Sequence, residues 1–185
     1  NLHGKSDAKL NFINDELFGK VLSFSPENKA FVSIPAEAFA GEESLSISGW
    51  IYLRSAQRNQ CFFDFGKNAK SHFFVAPTGT QNATGLHSEI VTGSAEYKTD
   101  SPSIEANKWN HIAVVIDIPS QSFSTYVNGV LVGTAKNVKL KLEQLFDNNS
   151  AKNNRLYIGK SFVSEDSYLN AKVHDFRLYR VALNE

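Results

Sequence analysis

The run Phe123-Ser124-Thr125-Tyr126-Val127-Asn128-Gly129-Val130-Leu131-Val132 constrains this chain most. Asn-Gly between two β-branched and aromatic stretches predicts a type I′ hairpin, because both central residues need positive φ. The same period-two signal recurs along the chain. Leu45, Ile47, Ile51 and Leu53 share one face of a strand, and Ser46, Ser48, Trp50 and Tyr52 share the other. Ile112, Val114, Ile116 and Ile118 alternate in the same way. Shorter strands are predicted over residues 21–24, 31–34, 61–65, 72–76, 86–92, 155–159 and 171–180. One short helix is predicted over 140–146. Strands at roughly 8–12-residue spacing with turn signals between them predict an all-β sandwich or barrel. No internal repeat, low-complexity tract or linker interrupts the pattern.

Composition agrees. Fourteen Phe, six Tyr and two Trp without any Met suit pleated, half-buried surfaces. At 185 residues the expectation is one domain over 1–185. Lys+Arg and Asp+Glu are 19 each, and a net charge of zero argues against nucleic acid or an anionic membrane as partner. No apolar run reaches the ~18 residues a spanning helix needs. No leader pattern is read at the N-terminus. A Met-free chain that begins at Asn1 reads as a processed form or a piece of something longer. One cysteine, Cys61, excludes an intrachain disulfide framework. Its alternation with Phe63 and Phe65 predicts a buried, inert thiol.

Five segments then occur in a recognisable order: Phe18-Gly19-Lys20-Val21-Leu22-Ser23-Phe24 with Phe31 to Pro35, Leu45 to Leu53, Trp109-Asn110-His111-Ile112-Ala113 with the Asn128-Gly129 hairpin, Leu156-Tyr157-Ile158-Gly159-Lys160, and Asp175-Phe176-Arg177-Leu178-Tyr179. In this the chain resembles the laminin-G-like branch of the concanavalin A-like lectin/glucanase superfamily. The resemblance implies a two-sheet antiparallel jelly roll with one concave sheet. It also implies a non-catalytic carbohydrate-binding accessory module of a secreted bacterial glycan-degrading protein. Such a module would be extracellular, cell-surface or periplasmic and monomeric. The alternative is a structural module bracing a neighbouring catalytic domain. Two departures from the family stand out. Residues 1–16 read as an incomplete first element, and His174 replaces an acidic residue beside Asp175.

Catalysis has no motif here. Retaining hydrolysis needs two carboxyl groups ~5–5.5 Å apart, which on one strand means acidic residues at i and i+4 or closer on one face. Glu42-Glu43 are adjacent and precede a strand, and Glu165-Asp166 read as loop. No Gly-x-Ser-x-Gly elbow is present. Five scattered histidines (His3, His72, His87, His111 and His174) have no zinc spacing. No cofactor is assigned. Calcium stays open, with Asp147, Asn148, Asn149, Asp166 and above all Asp175 as oxygen-bearing candidates against their reading as turn formers.

Sugar binding needs flat rings and planar polar groups. The candidates are Trp50, Tyr52, His72, Phe74, His87, Tyr126 and Arg54, with Glu89 sharing His87's face and Tyr97 alongside. One groove forms if these faces line the same sheet. The competing reading for Trp50 is packing under a loop or against the N-terminal segment. Trp109 is read as structural, plugging the sandwich rim. The loops 54–60, 77–85, 93–103 and 161–168 are the remaining candidates. Asn82-Ala83-Thr84 and Asn148-Asn149-Ser150 fit a glycosylation sequon.

Overall fold

A computed structural model describes residues 4–6, 10–35, 44–147 and 149–184. His3, Glu42, Glu43 and Asn148, singled out above, lie outside the described residues. Among the described residues, fourteen strands form two seven-stranded antiparallel sheets.

The first sheet runs in the order β1 (Lys5–Ser6), β4 (Val32–Ile34), β13 (Arg155–Ile158), β6 (Phe63–Asn68), β7 (Ser71–Ala76), β8 (Leu86–Val91) and β9 (Glu96–Ser101). The second runs β12 (Val130–Lys136), β11 (Ser122–Val127), β10 (Trp109–Asp117), β5 (Leu45–Leu53), β14 (Ala171–Tyr179), β3 (Gly19–Phe24) and β2 (Asn11–Asp15). Neighbours far apart in sequence pair, as β5 with β14 and β4 with β13. Such long-range connections are those of a jelly roll rather than a simple meander.

The predicted hairpin forms, with φ of 52° at Asn128 and 79° at Gly129. The core lies between the sheets. Phe63, Phe65 and Phe73 from the first sheet meet Ile47, Ile51, Val114, Ile116 and Phe123 from the second. Burying each such side chain contributes about 1.5–3 kcal/mol. A buried hydroxyl chain also crosses the gap: Thr125 Oγ1 lies 2.7 Å from Thr99 Oγ1 and donates to Ser88 Oγ at 3.0 Å. Gly133 makes room for it, since a Cβ there would sit 2.8 Å from Thr99 Cβ.

The structure departs from the sequence reading in four places. The predicted helix over 140–146 is a single 3₁₀ turn, Leu142–Gln144. Leu140, Leu142, Leu145 and Phe146 are all buried, so the segment follows the core's edge rather than presenting one helical stripe. Residues 93–103, read as loop, contain β9. Its Tyr97 and Thr99 turn inward, and Glu96, Lys98 and Asp100 outward, as an edge strand permits. Two exposed edge strands, β1 and β2, form within residues 4–15 where the sequence reading placed none, because their side chains are not patterned against the core. Cys61 does not share a face with Phe63. Phe62 and Phe63 both enter the main core, and Cys61 packs with Phe74 and Ala76 on the other side of the first sheet.

Candidate functional site

The predicted ring residues fall on two opposite outer faces, so the single groove expected from sequence does not form. Trp50, Tyr52 and Tyr126 are on the second sheet. His72, Phe74 and His87 are on the first.

Over β10, β5 and β14 the second sheet's outer face is occupied by the chain itself. Register aligns His111, Trp50 and His174 across β10, β5 and β14, and Trp109, Tyr52 and Lys172 in the next row. Phe18, from the turn between β2 and β3, sits on the first row. Its centroid is 5.3 Å from Trp50, 4.9 Å from Trp109 and 4.5 Å from His174. Lys172 lies 3.9 Å over Tyr52 and is paired with Asp15, which also accepts from Trp109 Nε1 at 3.2 Å. The Lys172 hydrogen bond is the largest influence on Asp15. With the Leu17 and Phe18 amides it outweighs burial and holds the carboxyl at about 2. Trp50 therefore packs against the N-terminal hairpin, and Trp109, the first residue of β10, belongs to the same cluster. Farther along β5, Ser46 is 1% exposed because the C-terminal segment crosses it. Ser46 Oγ donates to Val181 O and accepts from Leu183 N. Tyr126 is half-buried opposite Ala113.

Arg54 is also engaged. Its guanidinium donates to Phe24 O at 2.8 Å and Ser23 Oγ at 2.7 Å, clamping β3 rather than reaching solvent partners. Asp175 lies in a β-bulge of β14 with φ 49°, half-exposed, and accepts from Arg177 Nε at 2.7 Å. The bulge turns Phe176 inward onto Phe62 and leaves Asp175 outside. Among the described residues no three His, Cys, Asp or Glu side chains are grouped to hold a metal ion.

The first sheet's outer face carries a cleft of about 680 Å³. Its floor is a row of rings. His72 stacks on Phe74 with centroids 5.1 Å apart, and Phe74 lies 5.7 Å from His87. Phe74 is 8% exposed, so it closes the floor rather than standing proud. Beside it on β6 Asp64, fully buried, faces His72 Nδ1 at 2.7 Å and accepts from Phe162 N at 2.8 Å. Burial pushes the Asp64 carboxyl up, opposed by those hydrogen bonds.

Polar groups wall the cleft. His87 lies between two carboxylates, with Nε2 2.9 Å from Glu89 Oε2 and Nδ1 2.6 Å from Asp100 Oδ1. Burial disfavours its charge, but both carboxylates together outweigh burial and hold the imidazole above its ordinary value. Glu96, Lys98 and Asp166 complete the walls. Burial raises the Asp166 carboxyl, against the Ser161 hydroxyl that bonds it. Loop 77–85 rims one side with Gln81 and Asn82. That loop needs its glycines: φ is +90° at Gly79, where a Cβ would lie 2.2 Å from Ala83 O.

Sequence reasoning reached three of the floor rings and Glu89. It missed Asp64, Asp100 and Lys98. The last two lie on the strand read as loop, and period-two alternation across Glu96, Lys98 and Asp100 was the available signal.

Two antiparallel sheets packed face to face, one outer face covered over its middle strands and the other hollowed, define a jelly-roll β-sandwich of lectin-like architecture. The chain belongs to the concanavalin A-like lectin/glucanases superfamily, whose family model matches residues 26–185. No curated protein sequence matches it. Among solved structures it is similar to domain 4 of AbnA, a GH43 extracellular arabinanase from Geobacillus stearothermophilus, in complex with arabinotriose. The TM-score is 0.77 at 17% identity, covering 98% of this chain and 84% of that one. It is also similar to the Ruminococcus gnavus IT-sialidase CBM40 bound to α2,3-sialyllactose, with TM-score 0.60, 18% identity and coverage of 77% and 79%. The binding domain of botulinum neurotoxin DC in complex with SialylT gives TM-score 0.69 at 16% identity. There the match covers all of this chain but 44% of that one, so the chain spans less than half of the toxin domain. At these identities the likeness is one of fold.

Proposed function

We propose that this chain is a non-catalytic carbohydrate-binding module that holds its glycan in the cleft on the first sheet. The observation that carries this is the cleft itself: a floor of His72, Phe74 and His87 rings walled by carboxylates, a lysine and loop amides. Flat rings suit the apolar face of a sugar, and planar carboxylates and amides accept from and donate to its hydroxyls. The fold's neighbours include domains solved with arabinotriose and with sialyllactose, which supports a glycan over other small molecules. Glu89 and Asp100 do not form an acid/base pair in this reading. Both bond the same imidazole, which sits between them where a hydrolytic water would have to stand. The module's parent would be a secreted glycan-degrading protein, with the module monomeric and outside the cytoplasm.

A second reading has its own observation. The β2–β3 hairpin exposes Phe12 by 59% and Leu17 by 69%, next to exposed Ile13. Apolar residues grouped on one hairpin favour contact with a neighbouring domain, as a bracing module would make.

The test is a glycan array followed by calorimetry on the wild type, Glu89→Gln, Asp100→Asn and Trp50→Ala, with a chelator arm that reads whether calcium takes part. Saturable binding weakened at least about tenfold in the two cleft variants and retained in Trp50→Ala is expected, since a hydrogen bond to a charged group contributes ~1.5–3 kcal/mol. Absence of binding at millimolar glycan overturns the proposal and leaves the bracing reading. Loss of binding in Trp50→Ala alone moves the site to the other sheet.

A further inference from the structure

The ring row does not stop at the cleft. Phe162 stands edge-on to His72, with centroids 5.7 Å apart at 88°, and 5.6 Å from Tyr157 on its other side. Tyr157 in turn lies 5.4 Å from Phe31, and Phe31 is 6.4 Å from Tyr168. Tyr157 is on β13, opposite Asp64 of β6, so its ring belongs to the same outer face as the cleft floor. Phe31, Tyr157 and Tyr168 are each partly exposed, unlike the buried rings of the cleft. Lys160 Nζ reaches over all three, 4.7 Å from Phe31, 4.9 Å from Tyr157 and 5.9 Å from Tyr168.

We infer that the Phe31, Tyr157 and Tyr168 platform is a second sugar subsite, so that the ligand is an oligosaccharide lying across the strands. This rests on the glycan reading of the cleft and extends it. From β8 to β13 is three inter-strand steps, roughly 14 Å at ~4.8 Å each, which exceeds the length of one sugar ring. Sugar faces carry outward C–H groups that favour aromatic π-faces, and Lys160 already shows that these rings accept a positive partner. The lysine is a flexible four-carbon stem with a solvated head. A sugar arriving on the platform displaces it from the rings, and its ammonium then donates to the sugar's hydroxyls. Phe162, between His72 and Tyr157, separates the two subsites.

Linear arabino-, xylo- and cello-oligosaccharides of two to six units are titrated calorimetrically into the wild type, Tyr157→Ala, Tyr168→Ala and Glu89→Gln. Thermal melts of each variant check that it is folded. Tyr168 lies outside the strands, so its variant keeps the test alive if Tyr157→Ala does not fold. The expected result is affinity that rises with length for one series. Both tyrosine variants lose about tenfold on the long members and nothing on the disaccharide, a loss typical of one aromatic contact. Glu89→Gln weakens every length. Affinity independent of length, or tyrosine variants that bind long members as the wild type does, overturns the second subsite and leaves the cleft standing. Failure of every series in the wild type overturns the oligosaccharide subsite, whereas the cleft reading itself falls only if the glycan array also shows no binding.

Discussion

The ring of Phe18 stacks on His174 at 4.5 Å and 18°, and this contact decides what Trp50 does. With Phe18 in place, Trp50 is one wall of an aromatic cluster closed by His111 at 5.2 Å. Without it, Trp50 would stand open on the second sheet.

Phe18→Ala should therefore destabilise the protein by about 2 kcal/mol, less than a fully buried Phe→Ala because Phe18 is only half-buried. Urea unfolding followed by tryptophan fluorescence measures it. The β2–β3 hairpin should loosen, and glycan binding in the cleft should stay unchanged. An unaltered midpoint would show that Phe18 does not anchor the hairpin.

His87 should make stability fall on the alkaline side. Its folded pKa is raised above the ordinary 6.5 of the free side chain. The stabilisation is thus complete below about pH 6.5 and is lost as pH rises through the folded value. Melting temperature measured from pH 5 to 9 should decline over that window. In Glu89→Gln the decline should begin at lower pH, because one of the two carboxylates holding the proton is gone. Identical profiles for the two proteins would contradict this.

Asp15 acts at the other end of the scale. Its folded carboxyl titrates at about 2, below the ordinary 3.8. Its contribution is present above about pH 4 and is lost as pH falls toward 2. Asp15→Asn should flatten the acid limb of the stability profile. It should also free Lys172, which NMR of the lysine side chain would detect.

The hydroxyl chain between the sheets gives a packing prediction. Thr125→Val keeps the shape but removes the oxygen that partners both Thr99 and Ser88, leaving two buried hydroxyls to find new partners. A loss of about 1–3 kcal/mol is expected in chemical denaturation. Gly133→Ala should cost a similar amount, about 1–3 kcal/mol, by pressing a methyl into Thr99. Thr125→Val stability equal to wild type would mean the chain contributes nothing net.

Local pattern carried much of this protein. The Asn128-Gly129 turn, the Leu45 to Leu53 alternation and the Ile112 to Ile118 alternation each need only neighbours in sequence to be read, because side-chain period and φ are local properties. The resemblance built on those strands gave the superfamily. The same patterns could say that Trp50 and Tyr52 face away from the core, and that His72, Phe74 and His87 do so too. They could not say which sheet each strand joins. That depends on long-range pairing, β5 with β14 and β13 with β6, which no residue encodes alone. Pairing put the two ring sets on opposite sides. It brought Phe18 onto Trp50, laid the C-terminal segment over Ser46, and left the first sheet's outer face hollow. It also turned the polar run at 96–101 into the edge strand that supplies Asp100 to His87. The sequence by itself determined the strands, their faces and the aromatic core. Tertiary structure alone decided which face stays open, since covering a face takes segments distant in the chain.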